Sequence, residues 1–343
     1  MSEPLLSVTE WRAQAGQAEG ALRARLQVEI TARHEKTTKD GKPYYDLEFS
    51  DASGRDLLRI WNNAPFFLAC GDLQARDWVE LAGEFVPKPG FGIEPRTLTV
   101  RPLEPSEVTS ALAGTPARAA SLEADYALLQ GTLGELHDPR LRAASLLFFE
   151  KFGPRFRRAA AARMNHHARR GGLLEHTAQM LRAAVAICGA YPALHRDLLL
   201  AGVLFHDCGK MWENPTPERS TGIEVTATGE LLGHIMIGCE LVNKLWSELR
   251  DREELKQWES LSPRSEDVRQ HLLHLIASHH GEYAFGSPVL PKTPEAFALH
   301  YLDGLDARLE MLAGAFANAP EIAPGVFERV RPLGSNLVRP LGG

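Results

Sequence analysis

Seven metal-capable side chains fall in five clusters along one apolar, helix-patterned stretch: His176, the doublet His206-Asp207, His234, the pair His279-His280, and Asp303. Ionisable groups set among apolar helix faces are costly to bury unless something binds them. A fold that gathers the five clusters around shared cations removes that cost. Imidazole and carboxylate ligands without cysteine suit Mn²⁺, Fe²⁺ or Zn²⁺ in a site with open positions, and the chemistry to expect there is hydrolysis.

Taken singly, each cluster has two readings. His176 opens a run in which Leu173, Thr177, Met180, Leu181, Ala184 and Ile187 recur near the 3.6-residue period, so it fits a core or capping histidine as well as a ligand. His206-Asp207 ends the apolar run Leu198 to Phe205, with Lys210 one turn beyond. Lys210 reads either as a phosphate contact or as a helix-end lysine favoured by the helix dipole. His279-His280 closes a helical run that carries His271 and His274 on its outer face, and Gly281 stops it. The i, i+3 spacing of His300, Asp303 and Asp306 puts them on one helix face, where only one need touch metal. Arg169 and Arg170 precede the first cluster and fit either phosphate contacts or ordinary surface charge. Glu175 and Glu282 flank ligand positions and read as carboxylates that orient ring nitrogens. Joint occurrence of the clusters, in this order, favours ligands over any one-by-one account.

Between Gly281 and Ala296 a proline-broken loop joins two ligand-bearing segments and is expected to overhang the site. Tyr283 and Phe285 offer faces for base stacking or pack down as a lid, and Lys292 offers a phosphate contact.

Residues 21–104 have a different texture. Short alternating runs separated by Asp40-Gly41 and Ser53-Gly54 turn signals predict five or so strands in a small barrel, with Pro65 to Leu73 as an interrupting helix or loop. Tyr44, Tyr45 and Trp61 fit a base-stacking face or the core, and Lys36, Lys39 and Lys42 are the expected backbone contacts. Twelve Lys and Arg against 13 Asp and Glu make this region a weak non-specific binder. Residues 1–20 precede it as an N-terminal segment, and 105–120, rich in Ser, Thr, Pro, Gly and Ala, read as a linker. Helices are expected over 121–317, broken at Asn214 to Gly229 by an insertion that reads as a hairpin. The 318–343 tail repeats Arg-Pro-Leu-Gly at Arg331 and Arg339 and reads as an extended arm, laid on the protein or on a neighbouring subunit of a homo-oligomer.

Composition sets outer limits. At 343 residues the chain can hold two cores, giving a two-domain α+β protein. A formal charge of −6 excludes a globally basic face, so nucleic-acid binding must rest on local patches. Four dispersed cysteines, Cys70, Cys188, Cys208 and Cys239, read as reduced thiols, and no signal peptide or membrane span is evident, so the expected setting is cytoplasmic.

The motifs carry a resemblance. The His206-Asp207 doublet in its context is similar to that of the HD superfamily of metal-dependent phosphohydrolases. Arg170-Gly171-Gly172-Leu173-Leu174-Glu175-His176-Thr177, Gly233-His234, Ser278-His279-His280-Gly281-Glu282, Gly286-Ser287-Pro288 and Pro291-Lys292-Thr293-Pro294-Glu295-Ala296 resemble the YhaM-type 3′-to-5′ exoribonucleases. The resemblance spans residues 21–315 and is specific in the C-terminal part. It implies an N-terminal OB-fold β-barrel, which binds nucleic acid, joined to an all-α HD domain. It places the core metal ligands at His176, His206, Asp207 and Asp303, with His234 and His279 added in two-metal members, His280 as their neighbour and Asp207 as the bridge. Two divalent ions are implied, Mn²⁺ foremost, with Fe, Ni, Co, Mg or Zn as alternatives. Asp207 and Lys210 would serve catalysis, releasing nucleoside 5′-monophosphates from single-stranded RNA or DNA. Two rival readings are a phosphohydrolase of nucleotides or cyclic nucleotides and a non-catalytic nucleic-acid-binding protein.

Overall fold

The computed structural model describes residues 3–18, 20–88, 92–164 and 167–341. Two compact units divide the chain: Met1–Ala119 with Pro217–Gly222 and Leu312–Gly343, and Ala120–Thr216 with Ile223–Met311. The sequence reading puts 217–222, as part of the insertion, and 312–317 within the 121–317 domain; in the fold both group with the first unit.

That first unit begins with helix α1 (Val8–Gln17), which the sequence reading leaves as an undefined segment. Ser7 and Glu10 form a reciprocal capping box at its start. The strands β1 (Leu22–Thr37), β2 (Pro43–Ser50) and β3 (Arg55–Trp61) follow, then a short helix α2 (Phe67–Gly71), then β4 (Trp78–Lys88) and β5 (Gly92–Pro102). The sheet order is β3-β2-β1-β4-β5. A register shift between Ile30 and Ala32 lets the long β1 leave β4 and pair with β2. Its alternate residues Ala24, Leu26, Val28 and Ile30 are fully buried, as period-2 patterning requires. Trp11 of α1 meets Phe49 and Phe85 edge-on over this face.

The expected barrel is an open five-stranded antiparallel sheet. β3 pairs its backbone with β2 and β5 with β4, and among the described residues a side-chain bond links the two edges, Trp61 Nε1 donating to Glu94 Oε1 at 3.0 Å. Segment 217–222 is held by Glu29 of β1, a buried carboxylate that accepts from Ser220 Oγ (2.7 Å), Thr221 N (2.6 Å) and Thr221 Oγ1 (3.0 Å). The 105–120 stretch is helical: α3 (Pro105–Ala113) starts on a Glu104/Glu107 capping box, and α4 (Pro116–Gly134) follows.

The second unit is all helical: the body of α4, α5 (Pro139–Arg158), α6 (Gly172–Ala190), α7 (Arg196–Phe205), the single turn α8 (Lys210–Glu213), α9 (Ala227–Arg250), α10 (Ser265–Ser278) and most of α11 (Pro294–Asn318). Every residue of α7 from Asp197 to Phe205 is buried, which is why its sequence is apolar on all sides. Phe205 packs edge-on against Phe148 of α5, itself ringed by Phe149, Phe152 and Phe156. Full burial of each such ring stabilises the fold by about 1.5–3 kcal/mol. This anchors the C-terminal end of α7, and hence the doublet, in the bundle interior. Between α8 and α9 the insertion forms no hairpin; Glu224 N donates to Pro215 O across its base instead. Three short strands, β6 (Glu321–Ala323), β7 (Val326–Phe327) and β8 (Leu337–Val338), replace the expected extended arm, because Ala315, Phe327 and Leu337 make a small core of their own. Among the described residues no helix is long and apolar enough to cross a membrane.

Candidate metal centre

Helix ends deliver most of the site. His206 caps the C-terminus of α7 with Asp207 next to it, and His279 caps α10 with His280 next to it. Carbonyls at a helix C-terminus favour positive charge nearby. His176 lies in the first turns of α6, and Asp303 lies within α11. His234 follows Gly233, whose φ of +66° breaks α9 and turns the His234 backbone N–H onto Glu213 Oε1 (3.1 Å).

Four imidazoles converge by the same device. Each offers Nδ1 to an oxygen behind it: His176 to Asp306 Oδ2 (2.7 Å), His206 to Val203 O (2.8 Å), His234 to Glu213 (3.2 Å) and His279 to Ile276 O (2.8 Å). In a neutral ring, an Nδ1–H donated backwards leaves the Nε2 lone pair facing inwards. There, His176 Nε2 lies 3.2 Å from His206 Nε2, 3.4 Å from Asp303 Oδ1 and 3.7 Å from Asp207 Oδ2. His206 Nε2 is 3.3 Å from Asp207 Oδ2. On the other oxygen of the same carboxylate, His234 Nε2 is 3.4 Å and His279 Nε2 3.5 Å from Asp207 Oδ1.

These residues fit a divalent cation on two observations. Asp207 Oδ1, His234 Nε2 and His279 Nε2 are buried without a hydrogen-bond partner, an arrangement that costs about 1–3 kcal/mol for each group. The 3.2–3.4 Å spacings of His176 Nε2 from His206 Nε2 and Asp303 Oδ1, of His206 Nε2 from Asp207 Oδ2 and of His234 Nε2 from Asp207 Oδ1 also match donor atoms sharing one ion at about 2.1 Å, which stand about 3.0–3.4 Å apart at ordinary coordination angles. The sets His176/His206/Asp207 and His234/His279/His280 each offer three ligand atoms within mutual reach.

Electrostatics divide the cluster. Burial pushes His234 and His279 below the ordinary histidine value, and burial beside His279 takes His280 down to about 4, so all three are neutral and able to ligate at pH 7. Burial also disfavours a charged His176, but Asp303 and Asp306 outweigh it and hold that ring up at about 9. Burial would raise Asp207 and Asp303, yet Lys210 and His206 at the first, and His176 and His206 at the second, keep both carboxyls well below the usual range. Lys210 Nζ rests 2.7 Å from Asp207 Oδ2; burial pulls its pKa down and Asp207 overrides that, leaving it above the ordinary value.

The fold thus brings together His176, His206, Asp207, His234, His279 and Asp303, with Lys210 against the shared carboxylate. His280 is half-buried, its Nδ1 bonded to Phe285 O at 2.6 Å and its ring 5.1 Å from that of His234. Tyr283 and Phe285 are 67% and 59% exposed on the turn that follows, so they do not pack down as a lid. Lys292 is exposed, and its backbone N–H donates to His274 Nε2. Arg169 is ion-paired with Glu175 (2.8 Å) and Glu310 (2.5 Å), and Arg170 is half-buried beside it. Tyr44 and Trp61 sit side by side on the sheet of the first unit, ring centroids 5.2 Å apart, with the Arg59 guanidinium over both.

Sequence reasoning missed the carboxylates behind the rings. It expects Glu175 and Glu282 there, whereas Asp306 backs His176 and Glu213 backs His234. The i, i+3 relation of Asp303 and Asp306 was the available signal for the first; Glu213, one turn beyond Lys210, had none.

No solved structure matches the chain. Residues 173–308 match the HD domain family, a span that includes every candidate ligand position from His176 to Asp303. The chain therefore carries an HD domain at residues 173–308, and that domain with its His/Asp clusters implies a metal-dependent phosphohydrolase.

Proposed function

We propose that the protein is a 3′-to-5′ exonuclease acting on single-stranded RNA, and on DNA as a second substrate. Water adds to phosphorus as the bond to the 3′ oxygen breaks, releasing a nucleoside 5′-monophosphate and leaving a new 3′ hydroxyl. Divalent cations, with Mn²⁺ the first choice, supply the Lewis acidity that polarises the phosphoryl group and lowers the pKa of the attacking water. His176, His206, Asp207 and Asp303 would hold one ion, and His234 and His279 with the other oxygen of Asp207 a second. Lys210 neutralises charge building on a non-bridging phosphate oxygen. The buried carboxylates keep their charge at neutral pH, so the cluster stays competent to hold cations.

The observation that carries a polymeric substrate is the pair of exposed aromatic rings, Tyr283 and Phe285, on the turn directly after His280. Exposed rings beside a phosphate-directed centre suit unpaired bases, which stack without regard to sequence. Tyr44, Trp61 and Arg59 on the sheet form a second platform of that kind, with Lys36 and Arg59 sharing Asp46 beneath it. The net charge of −6 favours one rival, a phosphohydrolase of small nucleotides. A 5′-labelled oligonucleotide incubated with Mn²⁺-loaded protein separates the two. A shortening ladder with mononucleotide product supports the exonuclease; an intact oligonucleotide beside cleaved nucleotides or cyclic nucleotides supports the rival.

A further inference from the structure

We propose that Asp306 and His167 form a positioning pair that holds His176 in its ligating tautomer and sets how tightly the cluster binds its cation. The proposal rests on His176 being a metal ligand and not on the identity of the substrate. A single oxygen, Asp306 Oδ2, takes both His176 Nδ1 at 2.7 Å and His167 Nε2 at 3.0 Å. Among the described residues, His176 is thus the one convergent imidazole whose backing carboxylate is itself gripped by a second imidazole.

His167 is built for that grip at some cost. It is buried, and its φ of +47° lies in the left-handed region that a residue with a β-carbon seldom adopts. Its carbonyl oxygen lies over Gly172, where a Cβ would come within 2.0 Å. That oxygen also accepts the backbone N–H groups of Ala161 and Arg169, so the strained turn is held from several sides. Strain maintained in this way is a mark of function. On its far side, His167 Nδ1 faces Glu175 at 3.7 Å and Glu310 at 4.0 Å, the two carboxylates that Arg169 bridges. Carboxylates and nitrogen bases therefore alternate from Arg169 through Glu175 and Glu310, His167 and Asp306 to His176.

The physical effect is on orientation and donor strength. Asp306 keeps the proton of His176 on Nδ1, so that Nε2 faces Asp303 and Asp207 as a lone pair, and His167 keeps Asp306 from rotating away. Loss of an oxygen partner behind a ligating histidine lowers metal affinity by about 10–100-fold.

Titration of the full-length, cation-free protein with Co²⁺, followed by its visible absorption, and with Mn²⁺ by calorimetry, tests the pair. Asp306→Ala is expected to weaken binding about 10–100-fold and to alter the Co²⁺ spectrum. Asp306→Asn, which keeps the shape, should fall between it and the parent and guards against a simple folding defect. His167→Phe should weaken binding by a smaller factor, and His167→Gln, whose amide can still donate to Asp306, should restore most of it. The number of ions bound at saturation should not change. Parent-like affinity and spectrum in both Asp306 variants would overturn the proposal. So would equal losses in His167→Gln and His167→Phe, which mean packing alone, or a lower ion count, which would make His167, His176 and Asp306 a metal site of their own. A parent protein that binds no cation would instead overturn the metal-ligand reading beneath it.

Discussion

The two oxygens of Asp207 face unlike halves of one centre. Around Oδ2 stand His176 and His206, the Lys210 ammonium at 2.7 Å, and a second carboxylate, Asp303, within 3.4 Å of His176. Around Oδ1 stand His234 and His279, neutral rings whose Nε2 atoms have no hydrogen-bond partner. The first half is rich in charge and already compensated by a proton on His176 and the Lys210 ammonium. The second is an uncompensated vertex of three donors. A cation on the Oδ2 side meets two carboxylates but must compete with a proton on His176 and with the Lys210 ammonium, whereas one on the Oδ1 side meets one carboxylate and displaces nothing.

The largest effect should come from removing what the halves share. Asp207→Asn is expected to abolish hydrolysis and cation binding on both sides, and to destabilise the protein by about 3–5 kcal/mol because it strands the buried Lys210 ammonium. Denaturant melts beside elemental analysis check both parts; turnover at the parental rate would refute the bridge. Next in size, His176→Ala and His234→Ala should each lose one ion and keep the other, with different residual affinities. Identical residual affinities would erase the distinction between the halves.

A pH series sharpens the comparison further. His176 holds its proton up to about 9, so a cation entering there expels it, and affinity should climb as pH rises towards that value, by at most about tenfold per unit. His234 and His279 sit below the ordinary histidine value, so affinity on their side should be level above it. Calorimetry in buffers of different ionisation enthalpy reads the protons released; equal slopes on the two sides would contradict the division. Smallest of all, Tyr44→Ala combined with Trp61→Ala should leave Mn²⁺ affinity and kcat unchanged while raising KM on long strands at least about fivefold. No change on any strand length would remove the sheet from substrate binding.

Local signals were reliable where one residue's neighbours in the chain decide its state. Alternation in β1, the Asp40-Gly41 turn and the all-round apolar α7 follow directly from periodicity and turn chemistry. Composition misled where capping outweighed it: the linker-like 105–120 stretch is helical because Glu104, Pro105 and Glu107 start a helix, and Ser7 with Glu10 starts α1 within a segment assigned no structure. The tail, read as an arm, folds into three strands because Phe327 and Leu337 find Ala315, a partner outside the tail itself.

By itself, the sequence determined the candidate ligands, because only certain side chains bind cations and their types and order are written in the chain. Tertiary structure alone decided that Asp306 and not Glu175 stands behind His176, that Glu213 backs His234, and that Asp207 turns a different oxygen to each pair of histidines. The reason is range. A ligand's chemistry belongs to its own residue, whereas its tautomer, charge and partner depend on atoms that lie within about 3 Å only after helices distant in sequence have packed.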